Sequence, residues 1–150
     1  MSYSMRFILT DGPAPTLDEI EHSLHQKDPD YSIDHEPKAA TGDLRYEGDV
    51  YGEIEIGQPG SGGTVDQDLA DLAAQVPNAE DGDQAAVNKV LKSATGLVTV
   101  RFPSEDQASE QSLQTVYPVW QGLFLTRKGM LQADGDGYFD KEGRVLSFPQ

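Results

Sequence analysis

The apolar residues of this chain recur in short bursts, and the spacing within each burst changes from two to between three and four along the sequence. Phe7, Ile8 and Leu9 form a run short enough for a buried strand, stopped by Asp11-Gly12-Pro13. Leu17, Ile20 and Leu24 then lie on one stripe of a helix. Thr16 and Glu19 stand in the spacing of a capping box before it, and Asp28-Pro29 follows it. Tyr31 to Ile33 reads as a short strand and Glu36 to Gly42 as a loop. Between Leu44 and Ile56 the period is two: Val50, Gly52, Ile54 and Ile56 share one face, and Tyr51, Glu53 and Glu55 share the other. Gly48 marks the hairpin. A two-residue Gly48-Asp49 turn would pair Tyr46 with Tyr51 and put Leu44 and Tyr46 on the face away from Ile54. A three-residue loop, Glu47-Gly48-Asp49, pairs Tyr46 with Val50 and gathers the apolar set on one side, which favours it.

After the glycine-rich stretch Gly57 to Gly63, helical spacing returns. Val65, Leu69, Leu72, Ala73 and Val76 make one helix, interrupted by Pro77 to Gly82. Val87, Val90, Leu91 and Ala94 make a second, closed by Gly96. Leu97 to Phe102 is β-branched and apolar, as a central strand requires. Leu113, Val116, Tyr117, Trp120 and Phe124 then follow a helical stripe, with Pro118 inside it either kinking the helix or delaying its start. Met130 to Ala133, Tyr138 to Asp140 and Arg144 to Phe148 close the chain as strands joined by Asp-Gly and Glu-Gly turns. These elements predict a single α+β domain spanning residues 1–150: a mixed or antiparallel sheet of about five or six strands with three or four helices.

Charge changes the picture more than composition does. Eleven Lys and Arg face 26 Asp and Glu, a formal charge of −15. The cations form no basic stripe, so direct nucleic-acid binding and anionic membrane surfaces are disfavoured, and a basic protein partner is favoured. There is no cysteine, which removes disulfides, thiolate metal sites and thiol nucleophiles and points to the cytosol. The apolar stretch near Phe7 is far shorter than a signal-peptide core, and no segment approaches the roughly 20 apolar residues of a membrane span.

Three constellations merit weighing as chemistry. Gly57, Gly60, Gly62, Gly63 and Thr64 lie in GxxxxGGT, between a strand and a helix. A phosphate loop needs Lys where Gly63 stands, and Asp66 and Asp68 open the following helix, so the segment reads as a degenerate phosphate loop at most. Asp134, Asp136 and Asp140 lie in an acidic, glycine-spaced run that suggests calcium. In the register from Asp134, Phe139 falls at the position of the required glycine and Val145 at that of the closing glutamate. The register from Asp136 puts Lys141 and Ser147 there, so tight turns are favoured over a metal site. Asp18, His22 and His25 share a helix flank and are the residue types that bind zinc or another transition metal, but spacing identifies no fourth ligand, His35 in its loop being only a distant partner, and an ordinary solvated helix face is favoured. No HExxH motif supports them, and GxSxG fails because Pro59 stands two places before Ser61.

No catalytic set or cofactor site emerges, and an enzyme is the less favoured reading. The expectation is a non-enzymatic, acidic binding or regulatory module for a basic partner. Its contacts are Tyr51, Glu53 and Glu55 on the outer hairpin face and Asp66, Asp68 and Asp71 on the next helix. In class alone, with no residue carried over, this layout resembles acidic inhibitors of the immunity or antitoxin type and many uncharacterised bacterial proteins. The alternatives are a small metal-dependent hydrolase and the phosphate-loop reading.

Overall fold

The computed structural model describes residues 3–60, 65–102, 110–134 and 136–148. The elements are β1 (Tyr3–Leu9), α1 (Leu17–Lys27), β2 (Tyr31–Asp34), β3 (Thr41–Tyr46), β4 (Asp49–Gly57), α2 (Val65–Gln75), a 3-10 turn (Val76–Asn78), β5 (Asp81–Gly82), α3 (Gln84–Lys92), β6 (Gly96–Phe102), α4 (Glu110–Thr126), β7 (Gly129–Ala133), β8 (Gly137–Asp140) and β9 (Gly143–Ser147).

Among the described residues one sheet holds all the strands, in the order β2-β3-β4-β6-β1-β7-β8-β9-β5, and every neighbouring pair is antiparallel. Over those same described residues the fold is therefore α+β with four helices, and the expectation of five or six strands is corrected to nine. All eight segments with strand-like patterning join the same sheet, and the two-residue β5 is added at the edge beside β9.

Alternation along the strands sorts side chains into two cores. Phe7 and Leu9 of β1, Val98, Val100 and Phe102 of β6, Leu44 and Ile54 pack on one face against Leu17, Ile20 and Leu24 of α1 and Val116, Val119, Trp120 and Leu123 of α4. On the opposite face Ile8, Leu97, Met130, Tyr138 and Leu146 pack against Val65, Leu72, Val76, Val87 and Leu91 from the α2 to α3 segment. The sheet is thus a middle layer between two helix pairs, as a sheet with apolar residues on both faces must be.

Local chemistry fixes the helix ends. The Thr16 hydroxyl accepts from the Glu19 amide at 3.1 Å and caps α1, whereas the Glu19 carboxylate turns away to Arg127 at 3.2 Å, so only half of the capping box forms. Asp83 caps α3 by accepting from the Ala86 amide at 2.9 Å. Helix α4 runs unbroken through Pro118, and its described part, Glu110–Thr126, includes a turn before the apolar stripe.

The hairpin of β3 and β4 has neither of the turns weighed above. Glu47 and Gly48 form its two-residue turn, with φ of 52° and 88°, the left-handed pair that matches strand twist, and Tyr46 pairs with Asp49. A bulge between Leu44 and Arg45 then shifts the register by one: Arg45 pairs with Val50, but Leu44 with Gly52 and Gly42 with Ile54. Beyond the bulge this is the register that the three-residue loop would have set, with Leu44 and Ile54 in one core. Among the described residues no helix is long and apolar enough to cross a membrane.

Candidate functional site

The second face of the sheet is apolar only where α2 and α3 lie over it. Towards β4 the same alternation delivers polar side chains instead: Ser4 and Arg6 precede Ile8 on β1, Thr99 and Arg101 follow Leu97 on β6, and Gln132 follows Met130 on β7. Glu53 and Glu55 stand directly across from Arg101 and Thr99. A polar band therefore crosses four central strands beside the second core.

Two guanidinium groups organise it. Arg101 donates to Glu55 at 2.7 Å and to Glu53 at 3.3 Å. Partial burial works against its charged form, but the bond to Glu55 and the fields of Glu55, Glu53 and Asp68 more than offset this, so its pKa is held above the ordinary value. Arg6 donates from Nη1 to Asp134 and to Gln132, both at 2.8 Å. Asp134 also accepts from the Gln132 amide at 3.0 Å and from the Ser4 backbone N–H at 3.1 Å.

Tyr138 lies against this cluster. Burial raises its hydroxyl pKa, with Arg6 opposing and Asp134 adding to the shift. Burial, then Asp136 and Asp134, push Tyr3 up to about 12, and its hydroxyl donates to Asp136 at 3.4 Å. Between helix α2 and the strands a cavity of about 320 Å³ is lined by Arg6, Asp68, Asp71, Leu72, Gln75 and Asp134. Its walls are mostly ionic, which suits a cationic side chain better than an apolar ligand.

Of the residues expected at a partner surface, the structure gathers Glu53, Glu55 and Asp68 around Arg101, and places Asp71 on the cavity wall, bonded to Gln67 at 2.8 Å. Asp66 turns aside to accept from the Gly60 amide at 3.0 Å. Tyr51 does not belong with them. The bulge leaves it unpaired between Val50 and Gly52 and packs it against the first core, on the face opposite Glu53 and Glu55. A bulge reverses the alternation on which the sequence grouping relied.

The remaining candidates separate. Gly57 ends β4 where Val65 approaches so closely that a Cβ would lie 2.3 Å from Val65 Cγ2, so this glycine serves helix packing. Gly60 takes a φ of 78°, and its amide is occupied by the Asp66 carboxylate. Gly62, Gly63 and Thr64 lie outside the described residues.

On α1, Asp18 faces His35 at 3.1 Å, His22 faces Gln26 at 3.3 Å and His25 faces the Tyr31 carbonyl at 2.6 Å, each in its own direction. Asp134 and Asp136 serve Arg6 and Tyr3, and Asp140 caps its own turn by accepting from the amides of Glu142 and Gly143 at 2.8 and 3.1 Å. Among the described residues no three His, Asp or Glu side chains are placed to hold a metal ion.

The sequence reading missed Arg6, Arg101 and Gln132. Their signal was there: each is a long polar side chain inside a short apolar strand, at a position whose neighbours on either side enter a core. No family model, curated protein or solved structure matches this chain.

Proposed function

We propose that this protein is a non-enzymatic binding module that engages a basic polypeptide partner, as an acidic inhibitor of the immunity type would, through the polar band and the adjoining flank of α2. The observation that carries the reading is the charge balance there: among the described residues, Glu53, Glu55, Asp68, Asp71 and Asp134 gather around Arg6 and Arg101. Those two cations already have carboxylate partners, which leaves net negative charge beside a cavity of about 320 Å³. In a molecule with a formal charge of −15, such a patch speeds encounter with a cationic face and sets its orientation, and it does so less effectively as salt rises.

The test uses the Asp68→Asn, Asp71→Asn variant, which removes two charges from α2 and keeps the carboxylates that pair with Arg6 and Arg101 on the strands. Capture of basic proteins from a native lysate at low salt is compared with wild type by mass spectrometry. A basic protein held by wild type, released by salt and lost by the variant is the expected result. Capture indifferent both to salt and to the variant would refute the reading.

A further inference from the structure

Strand β2 is one edge of the sheet, and an edge strand presents the N–H and C=O groups of alternate residues outward, ready to pair with another strand. In β2 those residues are Tyr31 and Ile33, since both make hydrogen bonds away from β3. The Tyr31 amide donates to the Asp28 carbonyl at 3.3 Å, the Tyr31 carbonyl accepts from His25 Nε2 at 2.6 Å, and the Ile33 amide donates to Glu21 Oε2 at 2.6 Å. Just beyond the strand, His35 donates to Asp18 at 3.1 Å. Asp18, Glu21 and His25 are spaced three and four along α1, which makes them one stripe of the helix. They meet positions 35, 33 and 31 in reverse order, so the stripe runs along the length of the exposed edge.

We infer that this stripe is a guard, in which Glu21 and His25 occupy two of the outward backbone groups of β2, the Ile33 amide and the Tyr31 carbonyl, and so keep the chain from pairing through that strand with a second copy of itself. The strand is suited to such pairing. In an antiparallel arrangement about a two-fold axis, Tyr31 would exchange both backbone bonds with Ile33 of the second copy and Ser32 would face its own counterpart. The alternation of the two faces would continue unbroken across the junction. Glu21 supplies to Ile33 the acceptor that a neighbouring strand would otherwise bring, and His25 supplies to Tyr31 the donor. The guard is independent of the binding surface proposed above, which lies on β4, β6, β1, β7 and α2.

The experiment combines sedimentation velocity with amide hydrogen exchange on the full chain, in high salt so that the repulsion between two acidic copies is screened. Wild type is expected to be monomeric with a protected Ile33 amide. In Glu21→Ala, His25→Ala at low concentration, Ile33 exchange should quicken at least about tenfold. As concentration rises, dimers should form in which that protection returns. Glu21→Gln keeps an oxygen acceptor for Ile33, so it should stay monomeric and protected, and either single alanine variant should dimerise more weakly than the double. A folded double variant that stays monomeric, dimers that leave Ile33 unprotected, or wild type already paired through β2 would each overturn the inference. Should the double variant fail to fold, the Glu21→Ala chain decides, by whether Ile33 exchange quickens.

Discussion

Replacing Asp134 with alanine should be among the most damaging changes to a partly exposed residue in this protein. Its carboxylate accepts from three groups: the guanidinium of Arg6, whose side chain is 18% exposed and which also donates to Gln132, the buried Ser4 amide, and the amide of the buried Gln132 side chain. A charge-assisted bond to a buried group contributes roughly 1.5–3 kcal/mol and a neutral one roughly 0.5–1.5. Asp134 is itself 38% exposed, so solvent screening reduces the Arg6 contribution to about 1 kcal/mol. The two stranded donors bring the total loss to about 3 kcal/mol. In a chain of 150 residues that corresponds to roughly 6–12 °C in melting temperature.

Asn at the same position keeps an oxygen for Ser4 but forfeits the charge, and should lose about half as much. Urea unfolding with linear extrapolation measures both, and a cycle with Arg6→Met isolates the coupling of the pair, expected at about 1 kcal/mol. If Asp134→Ala unfolds in two states within about 0.5 kcal/mol of wild type, the argument that this cluster ties β1 to β7 is wrong.

Two further outcomes follow from local geometry. Both ring nitrogens of His35 face acceptors, the Glu36 carbonyl at 2.8 Å and the Asp18 carboxylate, so only the doubly protonated ring satisfies both; its pKa is raised by the Glu36 carbonyl first and by Asp18 against a partial desolvation. Its contribution to stability is therefore complete below the unfolded value near 6.5 and lost as pH rises through the higher folded value. Proton NMR of the His35 ring should show that raised midpoint, and Asp18→Asn should bring it down; a midpoint unmoved by Asp18→Asn refutes the assignment. Gly57→Ala should cost about 1–3 kcal/mol by thermal unfolding, because the added methyl meets Val65 across a packed junction. A Gly57→Ala variant as stable as wild type would mean that α2 can retreat from the strand.

Much of this architecture could be read from periodicity, because each strand and helix carries its own apolar spacing. Sheet size could not: whether Tyr31 to Ile33 and Arg144 to Phe148 extend one sheet or start another depends on pairing between distant segments, which spacing within a segment does not encode. The hairpin shows the same boundary. The need to bury Leu44 with Ile54 was evident, but whether a longer loop or a bulge would meet it was not, and Tyr51 was assigned to the wrong face as a result.

The surface residues were legible in type and not in partner. Asp18 and His25 were weighed as ligands because they share a helix flank, and the structure turns them to separate partners, the His35 ring and the Tyr31 carbonyl. Arg6 and Arg101 escaped notice because charge inside a strand gains its meaning only from what faces it across the sheet.

The placement of β1 has a consequence for how the chain is made. It is flanked by β6 and β7, and Phe7 meets Val98 and Leu131. On the ribosome, Phe7, Ile8 and Leu9 therefore leave the exit tunnel about ninety residues ahead of their first partner strand. Until Gly96 to Phe102 has been synthesised, the middle of the future sheet is an apolar segment without a neighbour, so chaperone dependence during translation should fall steeply once β6 emerges.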